Sequence, residues 1–319
     1  MALFIGHSSA LEYWRTHPLG RPPARLSHSP SLANATTGIR EITTFPCKML
    51  GMRESPLHIL TASSSGRNRS KRVVCHVLSQ PMPAGSFVKV GKNLYVASPE
   101  LTFFLMASQL PIPELTLVGY ELCGYYRLSN DAPSGFVKAR PVSSAAKLLA
   151  FTNRMQGFAG VKKARRAAEF LSDRSASPRE TVTAALLCLP HAEGGYGLEI
   201  PQMNREVQIK EVTPAGSVAK TLYCDLYWPQ HRLAVEYDSD RHHAAPRNIA
   251  HDSKRRSTLG RAGVYVVSMT NDQLKSVRDF DEAARLLAKH TGRRVRVRRD
   301  DFPARRLRLR TTLLAQPRR

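Results

Sequence analysis

The sequence lacks the features that mark membrane and secreted proteins. It has no uninterrupted apolar run of about 18 residues, which argues against a transmembrane helix. The opening MALFIGHSSALEYW has neither a charged n-region nor a long apolar h-region, so no signal peptide is expected. Its 5 cysteines include no C-x-x-C pair, which favours reduced thiols over a disulfide framework. We therefore expect a cytoplasmic protein with no membrane partner.

Acidic residues are also scarce. The chain has 25 Asp and Glu against 48 Lys and Arg, a formal net charge of +23. An excess of this size favours a polyanionic partner, most often nucleic acid, and we expect DNA over RNA. The alternative is a basic background that only aids solubility. No G-x-x-x-x-G-K-[ST] stretch occurs, so a nucleotide-binding phosphate loop is not predicted.

Hydrophobic periodicity and capping residues predict an α/β protein with four divisions. We expect an irregular segment over 1–55, a mixed strand and helix region over 56–174, an α/β domain over 175–292 and an Arg-rich tail over 293–319. The α/β domain should hold a mixed sheet flanked by helices. The preceding region should be mixed α+β.

Individual elements can be placed by their local signals. Ser98 and Ser177 each precede a proline, a pattern typical of a helix N-cap followed by Pro at the first helical position. A hairpin is predicted over 87–98 with its turn at Gly91 and Lys92. The remaining expected strands are 56–62, 72–79, EVQIKEV, TLYCDLYW, RLAVEYD and VYVVSM, and the remaining helices are 113–123, 145–155, 161–171, about 246–259 and 279–290.

Two carboxylates lie in neighbouring apolar strands of the predicted α/β domain. A turn centred between Gln230 and His231 places Asp225 directly opposite Glu236. Opposed side chains on one sheet face lie roughly 4.5–5.5 Å apart at Cβ, and like charges there are destabilising. The period of two adds Asp238 to the Glu236 face. Such a patch is explained by a site for a hard divalent cation, Mg²⁺ or Mn²⁺.

Other interpretations of these residues stay open. The acids could form a solvated strand face paired with the abundant arginines. A zinc site could use Cys224, His242, His243 and His251, although the spacing fits no zinc-finger pattern, and Cys224 should face away from Asp225 and Glu236. Glu180 lies three residues after Ser177, as in a capping box, but it could also reach the metal.

These residues carry a resemblance to a known family. Asp225, the run Glu236-Tyr237-Asp238, the pair His242-His243 and a following helix with Arg255 and Arg256 resemble the Vsr-like branch of the PD-(D/E)xK, or restriction-endonuclease-like, nucleases. The order of helices and strands from 177 to 290 is similar as well. Asp238 stands where the wider superfamily has Lys.

The resemblance implies a metal-dependent endonuclease that hydrolyses phosphodiester bonds in bacterial defence or DNA repair. Asp225 and Glu236 would hold Mg²⁺ or Mn²⁺, with Glu180 as a further ligand. His242 or His243 would take the proton of the attacking water, assisted by Asp238. Because Asp238 replaces the expected Lys, a catalytically inactive nucleic-acid-binding protein is the alternative.

A second resemblance concerns the N-terminal half. The stretch YVASPELTFFLMA (95–107) resembles the strand-then-helix passage of AbiEi-type antitoxins and related defence proteins. This resemblance implies an antitoxin-like regulator as a further alternative, with a cognate toxin or antitoxin as its protein partner.

Arginines supply the predicted contacts to nucleic acid. We expect Arg255 and Arg256 to steady the scissile phosphate, since guanidinium groups match phosphate oxygens. The tail 293–319 should contact phosphates as an extended strand or as a disordered arm that folds on binding. The alternative is that its leucines pack it onto the domain. The predicted nucleic-acid-binding residues of the tail are Arg293, Arg294, Arg296, Arg298, Arg299, Arg305, Arg306, Arg308 and Arg310.

Overall fold

A computed structural model describes the chain in two compact units. The described residues are 1–16, 26–52, 56–64, 71–213, 216–238, 255–293, 295, 297 and 299–315. For residues 210–213 and 216–218 the description covers the backbone alone. Unit 1 comprises residues 1–123 and 127–171, and unit 2 comprises residues 124–126 and 172–319.

Unit 1 contains a five-stranded mixed sheet with strand order β3-β2-β1-β5-β4. β1 pairs antiparallel with β2 and parallel with β5, so it lies at the centre of the sheet. The strands are β1 (Leu3–Ile5), β2 (Leu57–Thr61), β3 (Val73–Val77), β4 (Phe87–Gly91) and β5 (Leu94–Ala97), and two short strands follow, β6 (Tyr126–Leu128) and β7 (Phe136–Lys138).

Helices cover this sheet. α3 is buried along its whole length, as its apolar sequence predicts, and Ser98 accepts a hydrogen bond from the Leu101 amide as the predicted N-cap. The helices of unit 1 are α1 (His7–Thr16), α2 (Ile39–Ile42), α3 (Pro99–Met106), α4 (Ile112–Cys123), α5 (Ala145–Arg154) and α6 (Val161–Ala168).

The expectation of irregular structure is wrong for residues 3–16. β1 has three residues, and each of them pairs in parallel with a residue of β5, some ninety positions later in the chain. So short a strand carries almost no local periodicity, because its stability comes from non-local pairing. α1 then begins at His7, whose φ of 50° lies in the left-handed region. The preceding residue is Gly6 and not Ser, Thr, Asp or Asn, so the usual sequence signal of a helix N-cap is missing.

Unit 2 contains a four-stranded mixed sheet with strand order β11-β10-β9-β8. β8, β9 and β10 are antiparallel neighbours, and β11 adds parallel to β10. The strands are β8 (Gln202–Thr213), β9 (Gly216–Trp228), β10 (Leu233–Asp238) and β11 (Tyr265–Thr270). The chain is thus α/β with mixed sheets and flanking helices, as predicted.

Helices of unit 2 form where the sequence signals predict them after Ser177 and over 279–290, whereas the helices over 271–275 and 302–314 were not predicted. Ser177 caps α7, and Ser276 caps α10, each by accepting a backbone N–H. The helix after β10 is described from residue 255 and closes at Gly263, which has φ of 77°. The helices are α7 (Pro178–Cys188), α8 (255–261), α9 (Asn271–Lys275), α10 (Val277–His290) and α11 (Phe302–Leu314).

The tail is not an extended strand or a disordered arm over residues 302–314, where it forms α11. Phe302, Leu309 and Leu313 recur at helical spacing and are buried. The backbone of α11 approaches Gly194 so closely that a Cβ there would lie 2.5 Å from the Arg305 carbonyl oxygen. The alternative expectation, in which leucines pack the tail onto the domain, is the one observed. In the described part of the chain, no helix is both long and apolar enough to cross a membrane.

Candidate functional site

The hairpin of β9 and β10 sets the geometry of the site. Its observed pairs include Ala234 with Tyr227 and Val235 with Leu226, which is the register predicted from the turn. The turn is a short 3-10 segment that ends at Arg232 in the left-handed region, with φ of 45°. The paired residues end at Val235 and Leu226, and Glu236 and Asp225 are the next residues of the two strands.

Asp225 is tied to β10 through the backbone. The Tyr237 amide donates to Asp225 Oδ2 over 2.8 Å. Burial raises the pKa of the Asp225 carboxyl, and the nearby Asp238 carboxylate raises it further, while the Tyr237 amide and the Arg255 guanidinium oppose the rise. The effect of desolvation prevails because the carboxylate is removed from water without a full set of donors.

Glu236 is the most enclosed acid of the site, with 5% of its surface exposed. Arg255 Nη1 lies 2.7 Å from Glu236 Oε2. The other oxygen, Oε1, is buried, and no N–H or O–H group of the described residues donates to it. Burial, followed by the charge of Asp225, raises the pKa of Glu236 to about 8 in spite of Arg255.

Cys224 does not face away from Glu236, contrary to the sequence prediction. Its side chain is fully buried in a core cluster with Leu222, Ala234 and Leu259. Burial and then the Glu236 carboxylate raise the pKa of the thiol. His242, His243 and His251, the other residues of the zinc interpretation, lie outside the described residues.

Glu180 takes the capping role, one of the two that the sequence left open, and it also lies near Asp225. Its backbone N–H donates to Ser177 Oγ at 3.2 Å, and its carboxylate accepts from Ser177 Oγ at 2.9 Å and from the Ala176 amide at 2.9 Å. The capping interaction is therefore present. The carboxylate also interacts with the charge of Asp225. Burial, followed by this charge, raises the pKa of Glu180 to about 7.

Asn204 holds the carboxylate of Glu180 from the side of β8. Its Nδ2 atom donates to Glu180 Oε2 at 2.6 Å. Asn204 has φ of 44°, in a left-handed conformation that Asn adopts more readily than most residues. Nothing in the sequence pattern of EVQIKEV pointed to this residue, because its role depends on contact between β8 and the start of α7.

Asp225 links the carboxylates of α7 and β10, because its charge raises the pKa of both Glu180 and Glu236, whereas Arg255 opposes the rise at Asp225 and Glu236. If the three acids are ionised, Arg255 leaves the described part of this group with an excess of two negative charges. Each of the three acids has a raised pKa, and in each case desolvation is the main cause. The cluster is short of positive charge, and it offers hard oxygen donors with an unsatisfied Glu236 oxygen. These properties fit a hard divalent cation.

The ligand geometry is not preassembled. Within the residues that the structure describes, no group of three or more His, Cys, Asp or Glu side chains is arranged to hold a metal ion. Asp238 ends β10 opposite Thr270 of β11 and is half-buried. The predicted proton acceptors, His242 and His243, fall outside the described residues, so their relation to the acids stays a prediction.

Arg255 and Arg256 of α8 both contact the sheet. Arg255 contacts Glu236 of β10 and also donates to the Tyr223 carbonyl of β9. Arg256 donates to Ser268 Oγ of β11 at 2.7 Å. Their predicted contact with a scissile phosphate stays a prediction.

Most of the described tail arginines have partners inside unit 2. Arg310 is 3% exposed, donates to the Leu274 carbonyl at 2.6 Å and lies over the Phe280 ring. Arg306 pairs with Asp281. Arg293 and Arg299 pair with Glu199 and Asp301, and Arg305 pairs with Asp301. Arg308 is exposed, and Arg294, Arg296 and Arg298 lie outside the described residues. The prediction of a phosphate-binding row is therefore wrong for Arg310, whose side chain is enclosed.

Unit 1 holds a second ionisable cluster that sequence reasoning missed. His7, at the start of α1, stacks on His76 of β3 with ring centroids 3.5 Å apart. His58 Nδ1 of β2 lies 2.9 Å from His76 Nε2. His7 is 3% exposed, and burial, followed by the charges of His76 and His58, lowers its pKa to about 2. Burial also lowers the pKa of His58. The three residues come from separate elements, so no spacing could reveal them.

Comparison with known proteins gives two relatives at low identity. The chain is 28% identical over 138 residues to the uncharacterized proteins MT2308 and Rv2248 of two Mycobacterium tuberculosis strains. The match covers 43% of this chain and 45% of each relative, so the chain spans less than half the length of the curated relatives it matches. No protein-family model matches the chain. No solved structure matches it either.

Proposed function

We propose that unit 2 is a metal-dependent endonuclease that hydrolyses phosphodiester bonds in nucleic acid, DNA in preference to RNA. The observation that carries the proposal is that the buried Asp225 interacts electrostatically with both Glu180 and Glu236, the latter paired with Arg255. An arrangement of this kind costs folding free energy, since burying like charges is unfavourable. A cost of this kind is typical of functional sites.

Asp225 and Glu236 would hold Mg²⁺ or Mn²⁺, together with the main-chain carbonyl of Tyr237, and Glu180 would be a further acid at the edge of the site. When bound, such a cation supplies charge neutralisation for the phosphate and a lower pKa for a bound water. The protein's own residues supply the rest. The Tyr237 amide fixes the orientation of Asp225, and Asn204 fixes that of Glu180. His242 or His243 would accept the proton as water attacks phosphorus and the ester P–O bond breaks.

The net charge of +23 supports nucleic acid as the substrate class. The resemblance to Vsr-like nucleases supports defence or DNA repair as the setting, in a cytoplasmic protein. The alternative function is that of an inactive nucleic-acid-binding or antitoxin-like protein. It is favoured by one observation, the Asp at 238 where the wider nuclease superfamily has Lys.

The experiment is a cleavage assay on single- and double-stranded DNA and RNA, with Mg²⁺ and with EDTA. We expect cleavage by the parent protein only with the metal. Asp225→Asn and Glu236→Gln should each lower the rate by roughly 10²-fold or more. Glu206→Gln is the matched control, because Glu206 is an exposed acid on the adjacent strand β8.

Two results would decide against the nuclease proposal. The first is equal cleavage by the parent protein and by both acid variants. The second is binding of nucleic acid that is tight, unaffected by EDTA and never followed by cleavage, which would support the inactive binding protein.

A further inference from the structure

We infer that Arg255 is the built-in counter-cation of the acid cluster and that a divalent cation must displace it from Glu236 to bind. The inference rests on the proposed function, because it assigns a form of regulation to the same site. It follows from the position of the guanidinium against Glu236.

Arg255 occupies the position that a ligated cation would need. Its Nη1 atom is 2.7 Å from Glu236 Oε2, on a side chain of which 7% is exposed. The guanidinium also donates to the Tyr223 carbonyl, so it joins β9 to β10 immediately beside Asp225. A guanidinium is charged at every physiological pH and satisfies a carboxylate strongly. While it stays there, one Glu236 oxygen is not available to a metal.

The same contact can be broken without dismantling the fold. The Arg255 side chain is 29% exposed, so the guanidinium borders solvent, whereas Glu236 is enclosed. Arg256, the next residue, keeps α8 attached to β11 through Ser268. No residue that the structure describes donates to the remaining oxygen of Glu236, which is therefore available to a cation. Release of Arg255 would make Glu236 Oε2 available to a cation and leave the guanidinium in solvent near the acids.

Competition of this kind has a definite electrostatic sign. Removing one positive charge strengthens the attraction for a divalent cation about twice as much as for a proton, because the energy scales with the product of the charges. Loss of Arg255 should therefore raise cation affinity even though the acids also hold protons more tightly. A purely structural Arg255 would do the opposite, because its loss would loosen the hairpin that positions the ligands.

The test measures Mn²⁺ binding by electron paramagnetic resonance, with no nucleic acid present. Arg255→Gln should bind Mn²⁺ about tenfold more tightly than the parent protein, or more. Arg256→Gln removes the same charge from the neighbouring residue and is the matched control, which should stay within about twofold of the parent. Arg255→Lys keeps the positive charge but lacks the planar guanidinium, so its affinity for Mn²⁺ should lie between those of the parent protein and Arg255→Gln.

A second measurement covers the case in which Arg255→Gln does not fold. In the parent protein, the ¹⁵N side-chain signal of Arg255, identified by its loss in Arg255→Lys, should move to the position of a solvent-exposed arginine when Mg²⁺ is added. An unmoved signal at saturating Mg²⁺ would overturn the inference.

The outcomes separate this inference from the nuclease proposal. Unchanged or weaker Mn²⁺ binding by Arg255→Gln overturns the inference, and if the parent still cleaves nucleic acid, the proposed function stands. Binding of Mn²⁺ by Arg255→Gln but not by the parent supports the inference, whatever the cleavage assay gives. Absence of binding by both proteins overturns the inference, and the cleavage assay then decides the function separately.

Discussion

The histidine cluster of unit 1 and the acid cluster of unit 2 face the same physical problem with opposite charge. In each cluster, three ionisable side chains from different elements are drawn together away from water. Burial lowers the pKa of His7 and raises the pKa of Glu180 and Glu236. Desolvation favours the neutral form in both cases, which is the uncharged base in one unit and the protonated acid in the other.

Each cluster keeps one buried atom to which no described residue forms a hydrogen bond, Nδ1 of His7 and Oε1 of Glu236, so the difference between the clusters lies in charge. The histidine rings stack on one another, and the Nδ1···Nε2 contact between His58 and His76 needs no outside charge. The ionised acids, in contrast, depend on the positive charge of Arg255 among the described residues. A neutral cluster can be a stable end point of folding. An acid cluster that lacks positive charge is better explained by a ligand, which is why the proposed function belongs to unit 2.

The two tryptophans allow the units to be followed separately. Trp14 is buried in unit 1 and donates to the Ala97 carbonyl, and Trp228 is buried in unit 2 and donates to the Glu199 carbonyl. The chain has 2 Trp. A Trp228→Phe protein therefore reports on unit 1 by fluorescence, and a Trp14→Phe protein reports on unit 2.

The largest expected effect comes from removing residues 293–319. The truncated protein loses the buried side chains of Phe302, Leu309 and Leu313, and each is worth about 1.5–3 kcal/mol of burial free energy. Urea unfolding followed through Trp228 should shift to much lower denaturant, while unfolding followed through Trp14 should not. An unchanged Trp228 transition would mean that α11 adds nothing to unit 2.

The second expected effect is acid sensitivity of unit 1. The pKa of His7 is lower in the folded state than its ordinary 6.5, so the unfolded chain binds more protons below that pH. Stability is therefore fully present above pH 6.5 and is lost as the pH falls, by about 1.4 kcal/mol per pH unit for one proton.

The variant His76→Phe sharpens this prediction. It keeps a ring stacked on His7 but removes the imidazole of His76, which when protonated repels a protonated His7 and so lowers its pKa. The acid transition seen through Trp14 should then move to lower pH than in the parent. If it moves to higher pH or does not move, the histidine cluster does not control the acid stability of unit 1.

The third expected effect has the opposite sign and concerns unit 2. The pKa values of Glu180 and Glu236 are raised from 4.5 to about 7 and about 8, so the folded state holds more protons than the unfolded chain between these limits. Stability is fully present below pH 4.5 and is lost as the pH rises through about 8. Glu236→Gln should flatten this loss, and Glu206→Gln should leave it unchanged, as measured by unfolding through Trp228 in metal-free buffer.

The smallest expected effect separates two arginines of α11. Arg308 is exposed, so Arg308→Ala should change the free energy of unfolding by less than about 0.5 kcal/mol. Arg310 is buried and bonded to the Leu274 carbonyl, so Arg310→Ala should cost roughly 2 kcal/mol or more. Equal effects of the two substitutions would mean that the enclosure of Arg310 contributes little to unit 2.

Local signals in the sequence predicted the parts of the fold that local interactions determine. Ser98 and Ser177 cap their helices because each side chain satisfies a backbone donor within three residues. The register of β9 and β10 followed from a short turn and from the apolar pattern of two adjacent strands. The acids could be predicted to converge for the same reason, since Asp225 and Glu236 belong to one hairpin.

Contacts between distant segments could not be predicted in this way. β1 depends on β5, and the partners of His7 lie in two later strands. The role of Asn204 requires α7 to lie beside β8. The tail is a different case, because the helical spacing of Phe302, Leu309 and Leu313 was available in the sequence. The alternating Arg-Leu-Arg-Leu-Arg at 306–310 favoured a strand only because Phe302 and Leu313, on either side of it, were not considered together with Leu309.

The measurement that tests the central claim most directly is calorimetric titration of the protein with Mg²⁺ in the absence of nucleic acid. Because the substrate sequence is not needed, a negative result cannot be blamed on a wrong substrate. The proposed function predicts saturable binding by the parent and by Glu206→Gln, with binding lost in Asp225→Asn and Glu236→Gln. Equal binding by all four proteins would contradict the assignment of a metal site to the acid cluster, and so would the absence of binding by all four and by Arg255→Gln.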